Sequence, residues 1–322
     1  MIEQPEQQDE ETSADSEVLS ANKRIRQIAW MGIAIIVTFL VGFGSGYLKW
    51  GQDETAQAKQ QKELTQLYEQ VNPKNGYALP VSYGDLGPQL VKAGVIDSDA
   101  FQGVMTASGE PITSQQMGIL TKSGNEEIVI TAENAHFLLN FFWAVGLANR
   151  NSILTEGPMV QYSNGQIESF ASTGGWSLAT KPVTEVYASM DLISLTPEQQ
   201  ARVEQVASAV YRPCCNNHTL FPDCNHGMAM LGLLELMASQ DASVDEMFNA
   251  AKYVNAFWFP QQTLETAVYL KVNQNIDFAD ADPRRVVGKD LSSASGASMV
   301  RQSLQSSGLL KQTPGQGGSC AN

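Results

Sequence analysis

Residues 28–48 read IAWMGIAIIVTFLVGFGSGYL, 21 residues without a charged side chain. At about 1.5 Å of rise per residue, a helix of that length spans about 30 Å, the thickness of a bilayer core. Trp30, Tyr47 and Trp50 stand near its ends, where amphipathic rings favour the membrane interface. A cleaved signal peptide is the competing reading, but the run is longer than such peptides carry, and no small-residue cleavage site or lipobox cysteine follows it. Lys23, Arg24 and Arg26 precede the run, whereas Lys49 after it is offset by Asp53 and Glu54. The positive-inside rule therefore predicts one crossing of the lipid bilayer by residues 27–50, with the N-terminus cytoplasmic and the rest extracytoplasmic. The expected localisation is the cell membrane. Gly42-x-x-x-Gly46 is only a weak dimer signal; a second copy, or an envelope protein bound by the helical domain, is the candidate partner.

The flanks follow from composition. Residues 1–26 open with seven acidic side chains and no base before Lys23, half of the formal net charge of −14. Such a polar segment buries too little to offset its ordering entropy and reads as a disordered cytoplasmic tail. The acidic balance and the absence of a Lys/Arg block exclude a nucleic-acid partner, which requires a cationic stripe. Residues 51–70 read as a polar helical stalk with Leu64 and Leu67 as its apolar anchors, and residues 71–312 as one helical domain. Residues 313–322, TPGQGGSCAN, read as a flexible tail carrying Cys320.

Within 71–312 the helix signals are frequent. Thr131 heads the apolar run AENAHFLLNFFWAVGLANR, Thr196-Pro197 starts a helix to about Tyr211, and Ser243 with Glu246 forms a capping box. Asn225 to Ser239 and Gln261 to Asn273 read as further helices. Gly157-Pro158, Asn164-Gly165 and Gly174-Gly175 suggest an irregular, hairpin-containing insertion over 151–192, with an extended piece at Met159 to Tyr162. The predicted fold class is mainly α: a single-pass transmembrane helix plus a helical extracytoplasmic domain with a small β-containing insertion.

The chemistry concentrates in Tyr211 to Met230, YRPCCNNHTLFPDCNHGMAM, where three of the four cysteines and two of the three histidines fall together. Pro213 ends one helix and Cys224 opens the next, whose positive N-terminus favours thiolate. Thiolates select Cu(I), Zn or iron–sulfur chemistry, and imidazole suits Zn and Cu. Cys214, Cys215, Cys224 and His226 make a four-ligand set, with His218 as a fifth candidate, for a copper or zinc ion. The spacing is not that of a zinc finger. Two other readings stand beside metal. Disulfides Cys215–Cys224 and Cys214–Cys320 would staple the loop and tail of a scaffold protein. Alternatively, Cys214/Cys215 with His218 as base would make a thiol–disulfide oxidoreductase. His136, alone on an apolar helix, reads as a core histidine, and Met228 and Met230 as core side chains. No nucleophile elbow, P-loop, dinucleotide fingerprint, zincin motif or Cys-x-x-Cys-His is present.

Pro213-Cys214-Cys215, His218, Asp223-Cys224 and His226, leading into a helix with Ser243 and Glu246 beyond, resemble the PCYCGC-motif surface-anchored lipoproteins. The resemblance covers residues 211–250. It implies a soft-metal site at Cys214, Cys215, His218, Cys224 and His226. The departures are the Pro-Cys-Cys order, which replaces alternating cysteines, and a helical rather than lipid anchor. The Cys pair followed by a His is also similar to all-α alkylhydroperoxidase-D-type proteins, although their two-residue gap between the cysteines is missing.

Overall fold

In the computed structural model, residues 54–310 are described. The expected membrane span at 27–50, the acidic tail and the tail bearing Cys320 lie outside them. Among the described residues no helix is long and apolar enough to cross a membrane. The two most buried apolar helices, Ala135–Ala148 and Asn225–Ser239, have 14 and 15 residues, short of the roughly 20 that a bilayer core requires. The expected single-pass fold class and cell-membrane localisation are corrected accordingly: the described chain is mainly helical with a two-stranded sheet. Residues 54–65 with 308–310 form one compact unit and 66–307 the other.

Helix α1 (Glu54–Val71) continues into the second unit, where Leu67 and Val71 are buried. Strand β1 (Tyr77–Gly84) follows, then α2 (Leu86–Lys92), α3 (Ser98–Ala107), α4 (Ser114–Thr121) and β2 (Gly124–Ile130). β1 and β2 pair antiparallel, Tyr77 opposite Ile130 and Leu79 opposite Ile128, with register shifts after Leu79. Pro80 sits at that irregularity. A proline cannot donate to a ladder, and is tolerated where pairing is interrupted. Leu79, Val81, Ile128 and Ile130 point one face of the pair into the core.

Two helices carry the core. α5 (Ala135–Ala148) holds nearly all its side chains buried, so it is apolar all round, as a central helix must be. Thr131 does not cap it directly. Thr131 and Asn134 exchange side chain–backbone hydrogen bonds of 2.8 and 3.3 Å in the turn before, and the helix starts at Ala135. After the intervening segment come α6 (Pro197–Ala207), α7 (Asn225–Ser239), α8 (Val244–Trp258), α9 (Pro260–Gln274) and, beyond two single turns, α10 (Ala294–Ser306). α6 and α8 start from complete capping boxes on Thr196 and Ser243. α7 packs along α5 with backbones in contact: a Cβ on Gly146 would strike the Met228 carbonyl, and one on Gly232 the Phe142 carbonyl.

Residues 151–192 correct the expected β-containing insertion. They form single helical turns at 152–155, 158–163, 171–174 and 183–186, with a 3-10 turn at 167–169. Met159–Tyr162 is helical because Pro158 occupies the first position of a turn capped by Gly157. The segment is tied to the core by two indoles, Trp143 Nε1 donating to Ser172 O (2.7 Å) and Trp176 Nε1 to Val95 O (3.0 Å). At the far end of the α5–α7 pair, the carboxyl of Glu235 is fully buried, and its Oε2 accepts from Asn149 Nδ2 at 3.0 Å. Burial pushes its pKa up to about 8, against the weaker pull of the Asn149 and Asn151 amides.

Candidate metal centre

The loop between α6 and α7 is closed before any cysteine is reached. Tyr211 and His218 form an antiparallel bridge, and Thr219 donates to Val210 O through its N–H (2.9 Å) and its hydroxyl (3.1 Å). Tyr211 is held from outside: its N–H donates to Val287 O (2.8 Å) and its carbonyl accepts from Asn255 Nδ2 (2.9 Å). The loop's outer end is fixed to the start of α10, where Ala294 N–H donates to Cys215 O (2.8 Å) and Ser295 N–H to Asn216 Oδ1 (2.9 Å). Cys224 is the cap residue of α7, with extended backbone and no capping hydrogen bond from its side chain. Its Sγ turns instead toward the loop.

There the sulfurs of Cys214, Cys215 and Cys224 all lie within 4.8 Å of one another. Cys224 is buried, and Cys214 and Cys215 are half-buried. Cys214 Sγ and Cys224 Sγ are 3.6 Å apart, well beyond the roughly 2.05 Å of a disulfide. No disulfide joins Cys215 to Cys224 either, so this pairing in the stapled-loop reading is absent here. An ion about 2.3 Å from each sulfur calls for sulfur–sulfur separations of about 3.8–4.0 Å, which small side-chain adjustments supply. Three close cysteines could thus bind a metal ion.

Beneath the sulfurs lies Arg212, with only 1 % of its surface exposed. Its Nε donates to Cys224 Sγ (3.1 Å), Nη1 to Asn217 O (3.0 Å), and Nη2 to Phe221 O (3.2 Å) and Asp223 Oδ1 (2.8 Å). Asp223 is steadied through Oδ2 by Asn217 Nδ2 at 2.8 Å. A buried guanidinium is stable only when its donors are matched, and this one is wrapped by the loop that carries the cysteines. Gly227, in the first turn of α7, leaves the space: a Cβ there would collide with the guanidinium.

The field of this arrangement divides the thiols. Hydrogen bonds from Cys214 and Cys215, and then the Arg212 charge and its N–H, hold Cys224 well below the ordinary thiol range despite burial. Cys214 is pushed up by hydrogen bonding with Cys215 and Cys224 and by burial. For Cys215 the hydrogen bond with Cys214 pulls down, but that with Cys224 and burial prevail and raise it to about 11. The cluster therefore keeps its negative charge on the innermost sulfur, beside the guanidinium.

Of the five residues read from sequence as ligands, the three cysteines come together, while His218 and His226 do not join them within that radius. His226 Nδ1 bonds Asn225 Oδ1 (2.8 Å) and its ring packs on Trp258 and Phe259; burial lowers its pKa to about 4. His218 packs edge-on against Tyr211, its Nδ1 buried without a hydrogen-bond partner, and burial then Arg212 lower its pKa. Met228 and Met230 are in the core. His136 is not a core residue: its Nδ1 meets Glu110 Oε2 at 3.1 Å, with the side chain 35 % exposed. Arg212, Asp223 and Gly227 carry parts that the motif reading left out. One signal was available, since Arg212 is the sole Lys or Arg between Arg202 and Lys252. No protein-family model, curated protein or solved structure matches this chain.

Proposed function

We propose that this protein binds one thiophilic metal ion through the thiolates of Cys214, Cys215 and Cys224, and holds it for storage or delivery. The observation that carries this reading is the convergence of three sulfurs within 4.8 Å over a buried guanidinium that donates hydrogen bonds from all three of its nitrogens. Copper(I) is favoured over zinc. Cu(I) is satisfied by two or three soft ligands, whereas zinc prefers four and would have to recruit water here. The Arg212 charge also suits a site in which three thiolates outnumber the charge of a monovalent ion. The half-exposed Cys214 and Cys215 leave the ion a way in and out. The local resemblance to PCYCGC-motif proteins points the same way.

The test is elemental analysis of the full chain, purified under reducing conditions without chelator and then offered Cu(I) or Zn(II). About one ion per chain is expected, copper in preference to zinc. Cys224→Ser should lose most of the affinity, because that sulfur is the one already held as thiolate, and His226→Ala should leave binding intact. Affinity should fall as pH is lowered, since protons compete for each sulfur. A fully reduced, folded chain that takes up neither ion overturns the reading.

A further inference from the structure

Within the cluster Cys214 Sγ and Cys224 Sγ stand 3.6 Å apart, across ten residues of a single loop. We propose that these two cysteines are a redox pair whose disulfide dismantles the three-sulfur site. As a mechanism of metal release, this rests on the metal reading above; as a disulfide assignment, it stands on the geometry alone. Two features select this pair. The Arg212 Nε–H aimed at Cys224 Sγ marks that sulfur as the electron donor, with Cys214 in direct contact with it. Cys215, by contrast, is anchored on both sides of its peptide by the start of α10, through Cys215 O and Asn216 Oδ1. Joining Cys214 to its neighbour Cys215 would instead close a small strained ring. Formation of the Cys214–Cys224 bond asks the two sulfurs to approach by about 1.5 Å, a side-chain movement.

The oxidant class is a hydroperoxide. The Cys224 thiolate attacks its terminal oxygen, the O–O bond breaks, and the leaving alkoxide or hydroxide takes up a proton; Cys224 is then a sulfenic acid. The Cys214 sulfur attacks that sulfur, the S–O bond breaks, and the departing hydroxide leaves as water, taking the Cys214 proton in the metal-free site or a solvent proton where Cys214 is a metal-bound thiolate. Two electrons pass from the two sulfurs to the peroxide, and a reducing dithiol returns them by exchange. Cys215 then remains as a single thiol. Neither histidine lies within the ligand group to replace the lost sulfurs, so the ion is released.

The experiment uses full-length protein loaded with zinc, which has no redox chemistry of its own, and hydrogen peroxide as oxidant. Released zinc is read with a chromogenic chelator and the disulfide is mapped by mass spectrometry. Cleavage on the N-terminal side of Asp223 separates Cys224 from the other two, and backbone fragmentation between Cys214 and Cys215 identifies its partner. The expected result is complete loss of zinc together with a Cys214–Cys224 linkage, reversed by dithiol. Cys215→Ser should still form the linkage and Cys214→Ser should not. A linkage of Cys224 to Cys215 or to Cys320, or persistence of the three thiols at full peroxide dose, overturns the proposal, and the wild-type map decides this even if a variant fails to fold. Reduced protein that takes up neither zinc nor Cu(I) yet forms the Cys214–Cys224 bond refutes the metal reading and leaves the redox pair standing.

Discussion

Arg212 gives up its hydration to lie under three sulfurs, and each of its contacts belongs to the loop it organises. Gly227 is the complementary residue, carrying no side chain where the guanidinium fills the volume. Gly227→Ala should therefore overpack the site, lowering stability by about 1–3 kcal/mol and weakening metal binding, as thermal melts with and without the ion would show. Arg212→Met should be worse, about 3–5 kcal/mol, because Asp223 and the Asn217 and Phe221 carbonyls lose their partner. A buried ionisable residue elsewhere makes a separate prediction. The Glu235 carboxyl titrates near 8 in the folded protein, against an ordinary value of 4.5. A pKa raised on folding contributes stability that is complete below 4.5 and is lost as pH rises through about 8. Denaturation midpoints should thus fall by the equivalent of a few kcal/mol between pH 5 and pH 9, and Glu235→Gln should remove that part of the fall. An unchanged slope in the variant would show that Glu235 is not the group responsible.

At the level of elements, the contact between α5 and α7 sets how Cys224 is presented. α7 can lie against α5 only because Gly146 and Gly232 allow the backbones to meet, and Cys224 is the residue at which α7 begins. Gly232→Ala should push the helices apart and cost about 1–3 kcal/mol; hydrogen exchange should then quicken along both helices, more than in α9. Helices with local start signals were legible in the sequence: α6 and α8 begin at the Thr196 and Ser243 boxes that their residue types announce. What was not legible depended on distant partners. β1 holds Pro80 and follows Gly76, so it reads as a breaker-rich stretch until Ile128 and Ile130 supply its other strand. The turns of 151–192 are stabilised by Trp143 and Trp176 rather than by any pattern of their own. In the site, spacing brought out the cysteines, but nothing in spacing tells a histidine that faces them from one that packs on Trp258 and Phe259.

For the molecule as a whole, the separation of ligands from their supports matters. Cys214 to Cys224 lie within one short loop, whereas the amide of Ser295 that steadies Asn216 is 79 residues further along the chain. Closing a short loop around an ion costs little chain entropy, so capture need not wait for the distant contact. A chain still emerging from the ribosome displays all three sulfurs once Cys224 is out, long before α10 is made. On the proposed metal reading, ion capture and final closure would be successive events during synthesis, and the order would have a measurable trace. A peptide of residues 208–240 should bind Cu(I), more weakly than the full chain, with the deficit set by the missing supports at Val287, Asn255 and Ala294. If the peptide bound nothing, the supports would be prerequisites rather than reinforcement. If the peptide binds, metal present at translation acts as a template around which the loop forms, and a chain completed without it closes over its own sulfurs first.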